Sequence, residues 1–147
     1  MKRRANVYLK GNTVVIMPSC RTTAGFYMEQ EPVRTVQQGD VAAIGEAVLA
    51  ALAAYRENIP TLRRKDHGPL SLAAIATGAR TEAAFMRGAK TCAIEVDEQN
   101  CYVFSYENRG VQEGFVPQAA KELSFPCSSD AEMIGRMVLQ GLAASTS

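Results

Sequence analysis

Apolar positions along this chain fall into two rhythms, and each rhythm occurs twice. Val7-Tyr8-Leu9-Lys10 and Thr13-Val14-Val15-Ile16-Met17 are strand-like runs separated by Gly11-Asn12. A two-residue connection that starts with Gly predicts a β-hairpin, because Gly supplies the positive φ of a II′ turn. Cys92-Ala93-Ile94-Glu95-Val96 and Cys101-Tyr102-Val103-Phe104-Ser105-Tyr106 predict a second hairpin around the polar turn Asp97-Glu98-Gln99-Asn100. The second strand of each pair is nearly continuously apolar, which predicts cover on both of its faces. Irregular loops follow, each with a Gly-Phe pair (Gly25-Phe26 and Gly114-Phe115). Short extended pieces come next, at Val33-Arg34-Thr35-Val36 and Lys121-Glu122-Leu123-Ser124-Phe125.

The second rhythm is helical. Val41, Ile44, Val48, Leu52 and Tyr55 form one apolar stripe at three- and four-residue spacing, with Asp40 as the expected N-cap. Ile134, Val138 and Leu142 repeat that stripe, preceded by an S-x-x-E capping box of Ser129 and Glu132. Gly45 and Gly135 stand inside these helices, where Gly costs about 1 kcal/mol against Ala. Their recurrence at the same place predicts close packing against a strand or another helix.

The two halves read as one unit written twice. Ile44-Gly45-Glu46-Ala47-Val48-Leu49-Ala50-Ala51-Leu52-Ala53-Ala54-Tyr55 aligns with Ile134-Gly135-Arg136-Met137-Val138-Leu139-Gln140-Gly141-Leu142-Ala143-Ala144-Ser145, with seven of the twelve pairs identical. Upstream, Asn12-Thr13-Val14-Val15-Ile16 aligns with Asn100-Cys101-Tyr102-Val103-Phe104. The offset drifts from 88 to 90 through loops, where insertions are tolerated. Between the copies, residues 56–68 contain Pro60 and the basic run Arg63-Arg64-Lys65 and read as an exposed loop. Two short helices are predicted over 71–77 and 81–86, broken at Gly78 and ended at Gly88.

The 147 residues suffice to bury a core, and 47% hydrophobic with 21% charged residues is a globular composition. A formal net charge of +1 does not call for nucleic acid as a partner. The charge is unevenly spread: residues 56–90 carry seven Lys/Arg against three Asp/Glu, and residues 91–147 carry three against eight. The basic Met1-Lys2-Arg3-Arg4-Ala5-Asn6 leads into no apolar run, so neither a signal peptide nor a membrane span is expected, and the expected location is cytoplasmic. Cys20, Cys92, Cys101 and Cys127 lack C-x-x-C spacing and are expected to stay reduced, although the second hairpin could bring Cys92 and Cys101 near each other.

Candidate chemistry is sparse. His67 is the only histidine, and a general base needs a positioned partner that adjacent Asp66 does not guarantee. Four Cys and one His without ligand spacing do not make a zinc site. No phosphate-binding Gly loop or dinucleotide fingerprint is present. The carboxylate pairs Glu29/Glu31 and Asp97/Glu98 fall in expected turns or loops and read as solvated surface. The reading is of a protein that is not an enzyme, with no catalytic residues, metal or cofactor.

Taken together, Gly25-Phe26, the Ile44-Gly45 helix, Phe85-x-x-Gly88-Ala89-Lys90, Gly114-Phe115 and the Ile134-Gly135 helix resemble bacterial contact-dependent growth inhibition immunity proteins, the CdiI family. The resemblance spans residues 7–144. It implies a cytoplasmic antidote whose partner is the C-terminal toxin domain, mostly a nuclease, of a cognate surface-exported effector. It also implies one binding mode in which a toxin β-hairpin extends the antidote's sheet. An acidic second copy would suit a basic nuclease surface. Because aromatic and Arg side chains anchor interfaces, the expected partner-binding residues are Tyr27, Glu29 and Glu31 in the first loop and Tyr106, Glu107, Arg109 and Glu113 in the second. The competing reading packs Tyr27 and Tyr106 at the sheet edge.

The expected fold is one α/β (α+β) domain over 1–147: a mainly antiparallel central sheet from two β-hairpin–loop–helix repeats, about 7–55 and 92–145. A basic loop and short helices (56–91) are inserted between them. The expected function is toxin neutralisation without catalysis or direct nucleic-acid or membrane contact. An adaptor or assembly module is the first alternative, and a small enzyme using His67 or a cysteine the second.

Overall fold

A computed structural model describes residues 2–62, 68–127 and 130–146. The first half runs β1 (Arg3–Lys10), β2 (Thr13–Arg21), β3 (Tyr27–Glu29), β4 (Arg34–Gln37) and α1 (Val41–Ala53). The short helices α2 (Leu72–Ala76) and α3 (Glu82–Met86) follow. The second half runs β5 (Lys90–Val96), β6 (Asn100–Asn108), α4 (Gly110–Glu113), β7 (Phe115–Pro117), β8 (Leu123–Pro126) and α5 (Ala131–Ala144). The eight strands form one sheet of order β3-β2-β1-β5-β6-β7, with β4 also on β2 and β8 also on β6. Every strand pair is antiparallel. The two hairpin–loop–helix units expected from the sequence are therefore joined back to back through β1 and β5.

Strand registers place a pseudo-two-fold axis near the pair Asn6↔Ala93. Lys10↔Thr13 closes the first hairpin with two residues, and Gly11 sits at φ 61° as the turn requires. Register also corrects the repeat alignment by one residue. β2 starts at 13 and β6 at 100, an offset of 87 rather than 88, so Val14 and Ile16 correspond to Cys101 and Val103. Alternation is the reason, since a one-residue slip exchanges the two faces of a strand. Likewise Tyr27, not Phe26, corresponds to Phe115, because Arg21↔Tyr27 matches Asn108↔Phe115.

One face of the sheet carries α1 and α5. Ala5, Val7, Val14, Ile16, Cys92, Ile94, Val96, Cys101 and Val103 meet Ile44, Val48, Leu52, Ile134, Val138 and Leu142 in the main core. Gly45 and Gly135 make the helix pair possible. A Cβ on Gly45 would lie 1.6 Å from the Ala131 carbonyl oxygen, and one on Gly135 would lie 2.1 Å from that of Val41. Each helix thus sets its fifth residue against the first residue of the other, the close packing that the repeated glycines predict.

The other face is covered unequally. Val15 and Met17 of β2 pack under Ala73, Ala74, Phe85 and Met86 of the inserted segment, so β2 is buried on both faces as expected. β6 is not: Cys101, Val103 and Ser105 are buried, whereas Tyr102, Phe104 and Tyr106 are half-buried and belong to none of the core clusters among the described residues. The apolar run of β6 is aromatic on that side, and rings stay partly wet where aliphatic side chains would not.

Further differences are local. β1 begins at Arg3, ahead of its expected start, and β3, β7 and α4 were not anticipated. Tyr55 lies just past α1, buried with Cys20 and Ile59. Ser71 and Thr81 are N-caps, accepting from Ala74 N and Ala84 N. Asp130 caps α5 by accepting from Glu132 N at 3.0 Å, while Ser129 lies outside the described residues. Cys92 opposes Ser105 and Cys101 opposes Val96, four residues apart along β6 or about 13 Å. These two thiols do not meet.

Candidate interaction face

Alternation along the strands decides what the face away from α1 and α5 offers. Ala5, Val7 and Leu9 of β1 point to the core, so Arg4, Asn6, Tyr8 and Lys10 point the other way. Glu95 on β5, Tyr102, Phe104 and Tyr106 on β6, and Tyr27 and Glu29 on β3 share that side by register. Lys10 is used structurally: its ammonium donates to the Ala84 carbonyl at 2.9 Å and also to that of Arg87, pinning the end of α3. Asn108 does the same from β6, donating to Met86 O at 2.6 Å and Ala89 O at 2.9 Å.

Arg4 is the centre of the uncovered part. Its guanidinium lies 4.9 Å from the Tyr27 ring centroid and 5.7 Å from that of Phe104. One terminal nitrogen donates to the Tyr106 hydroxyl at 2.6 Å, and the other sits 3.5 Å from Glu95 Oε2. The Arg4 side chain is 17% exposed and that of Glu95 12%. Nε is buried and has no hydrogen-bond partner among the described residues. Two aromatic faces attract this cation but accept none of its in-plane N–H groups. Tyr102 stacks on Phe104 at 6.5 Å, extending the aromatic surface.

A second polar group sits beside it. Glu29 Oε2 accepts from Asn6 Nδ2 at 2.7 Å and from the Tyr8 hydroxyl. Burial raises the Glu29 carboxyl above its usual range, even though the hydrogen bonds from Tyr8 and Asn6 pull it down. Burial first, then the neighbouring Glu29, raises the Tyr8 hydroxyl well above the ordinary tyrosine range. The Tyr8 ring is in turn held edge-on by Phe85 at 5.7 Å and Phe115 at 5.8 Å. Glu29, Glu31, Arg56 and Glu82 border a cleft of about 700 Å³ beside α2. Glu82 accepts a hydrogen bond from Ser71 N there, so it serves the turn into α2.

The expected partner-binding residues are thereby separated. Tyr27 (39% exposed) and Tyr106 stand together on the face away from α1 and α5, bridged by Arg4. Glu29 is on that face but half-buried and occupied, not the exposed loop charge that was expected, because β3 tucks it against β1. Glu31 is exposed at the cleft rim. Glu107 points to the opposite side, where it pairs with Arg109 at 3.2 Å; Arg109 also reaches Glu113 at 3.9 Å. Those three form a surface ion network apart from Tyr106. Arg4 is not among the expected residues, because the basic segment 1–6 is weighed only for an apolar run after it; the alternation of Arg4, Asn6 and Tyr8 with Ala5, Val7 and Leu9 was the signal available. His67 and the run Arg63-Arg64-Lys65 lie outside the described residues.

Among the described residues, no three His, Cys, Asp or Glu side chains are grouped to hold a metal ion, and no helix is long and apolar enough to cross a membrane. No protein-family model matches the chain, and no curated protein matches it in sequence. Its fold is shared by solved structures. A protein of unknown function from Neisseria meningitidis, NMB0488, superposes with a TM-score of 0.76 at 14% identity, covering 99% of this chain and 96% of that one. A chain of the CdiA-CT/CdiI toxin and immunity complex from Yersinia pseudotuberculosis superposes with a TM-score of 0.72 at 15% identity, covering 97% of each chain.

Proposed function

We propose that this protein is an immunity protein, which binds and neutralises the C-terminal toxin domain of a cognate contact-dependent growth inhibition effector without catalysing a reaction. The observation that carries this reading is the end-to-end fold likeness to a chain of a toxin and immunity complex. It agrees with the resemblance read from the Gly and helix motifs. The immunity side of such a pair is favoured by what the polar residues do: Glu29, Lys10, Asn108 and Ser105 are all spent on holding elements together. The patch around Arg4, with Tyr27, Tyr102, Phe104 and Tyr106, is aromatic and cationic, a composition suited to gripping a protein. A nuclease is the toxin class that the resemblance suggests.

Co-expression with the toxin domain encoded immediately upstream tests the reading. Survival of cells that the domain alone kills, together with a co-purifying complex, is the expected result. A toxic domain that is neither bound nor neutralised would remove the antidote role and leave an assembly module as the better account.

A further inference from the structure

The pseudo-two-fold axis gives the uncovered surface a meaning. With the 87-residue strand offset, Val15 and Met17 correspond to Tyr102 and Phe104, and Ser19 to Tyr106. In the first half the corresponding surface lies under α2 and α3, and Val15 and Met17 are fully buried. In the second half no segment among the described residues takes that place. Its lining has changed in kind: Val15, Met17 and Ser19 are replaced by Tyr102, Phe104 and Tyr106, with Arg4 leaning across from β1. Tyr and Arg grip a surface and release it, because their polar tips tolerate water when the partner is gone, and Phe adds apolar contact area.

The unspent donors of Arg4 select the kind of partner. Lys2, Arg4 and Arg21 fall at the same end of this face. The carboxylates there are Glu95, which reaches Arg4 at 3.5 Å and Lys2 at 3.9 Å, Asp97 and Glu98 in the adjoining turn, where Asp97 feels Lys2, and Glu29, which is taken by Asn6 and Tyr8. Arg4 uses one good hydrogen bond and one long ion pair out of five possible donors. The geometry points to a docking site for the toxin domain over Tyr102, Phe104 and Tyr106, taking the place that α2 and α3 take in the other half and setting a carboxylate side chain on Arg4. This rests on the immunity reading and names the face and the chemistry of its partner.

The test uses the full-length protein and the upstream-encoded toxin domain, with affinity measured by calorimetry at fixed salt. Phe104→Ala and Arg4→Gln are each expected to weaken binding about 30-fold, the level of an interface anchor. Met133→Ser, on the exposed side of α5, is expected to leave affinity unchanged. Because Arg4→Gln leaves Glu95 with only its long contact to Lys2, Arg4→Gln/Glu95→Gln serves as the second variant and should show the same loss with an unchanged melting temperature. Toxin carboxylates are then changed one at a time to amides. One of them should cost about 30-fold against the wild type and nothing against Arg4→Gln.

Full affinity in Phe104→Ala and in both Arg4 variants would overturn the proposal while leaving the immunity reading intact. The absence of any coupled toxin carboxylate would overturn the role of Arg4. A wild-type homodimer that Phe104→Ala dissociates would make a second copy the occupant instead. If the wild-type protein does not bind the toxin domain at all, both readings fall together.

Discussion

Glu29 illustrates how a side chain's surroundings, more than its type, fix its part. Its carboxyl is raised by burial, so the folded protein holds this proton more tightly than the unfolded chain, whose value is near 4.5. The sign follows: stability is greatest below the unfolded value and declines as pH rises through the folded one. Glu29→Gln keeps an acceptor for Tyr8 and Asn6 but has no charge to desolvate. Its urea midpoint is expected to lack that decline and to equal or exceed the wild type at pH 7. A wild-type midpoint that instead rises with pH, with the rise abolished in Glu29→Gln, would mean that the hydrogen bonds outweigh burial. The thiols make a simpler case. Cys92 is pushed up to about 12 by burial, and Cys20 and Cys101 are buried as well. Only a thiolate alkylates readily, so iodoacetamide at pH 8 should label the native protein at exposed Cys127 alone, as read by peptide mass. At this scale the sequence pointed to Tyr27 and Tyr106 through residue type. It did not point to Arg4, whose value depends on two rings and a hydroxyl contributed by β3 and β6.

Among the elements, the crossing of α1 and α5 sets the tightest constraint. Backbone carbonyls occupy the space a methyl would need at Gly45 and Gly135, so the helices must separate to admit one. Gly45→Ala and Gly135→Ala are each expected to cost about 3 kcal/mol, the upper part of the range for overpacking. That lowers the melting temperature by roughly 10 °C for a chain of this size. Gly39→Ala, with nothing within 4 Å, is the matched control and should shift it by less than about 2 °C. This feature was legible because the two copies place Gly at the same step of the same apolar stripe. The hairpins and both long helices were legible for the same reason, each having a sustained period and a turn or cap. β3, β7 and α4 span three or four residues, too short for any period to declare itself. The one-residue error in repeat register had a different source. Apolar runs match equally well at 87 and 88, and only cross-strand pairing tells the faces apart.

For the whole molecule, the back-to-back arrangement bears on how the protein comes apart. β1 pairs with β2 over Ala5–Lys10 on one side and with β5 over Arg3–Leu9 on the other, so the central strand belongs to both halves at once. α1 and α5 interlock above it, and a single core takes residues from each copy. Neither half can open without baring the apolar face of the other. The inserted α2 and α3 add a second cluster on the back of β2, built around Phe85, and Tyr8 ties that cluster to β7 through Phe115. Thermal or urea unfolding is therefore expected to be one cooperative step, with coincident far-ultraviolet and near-ultraviolet dichroism curves. The near-ultraviolet signal reports Tyr and Phe, since the chain has no Trp. Phe85→Ala, which empties a fully buried site, should lower stability by about 3–5 kcal/mol and move both curves together. If the near-ultraviolet curve of Phe85→Ala moved alone, the inserted segment would be melting as a lid while the two-fold core stayed folded. Two transitions in the wild type would mean instead that the repeats still behave as separate units, despite sharing β1 and β5.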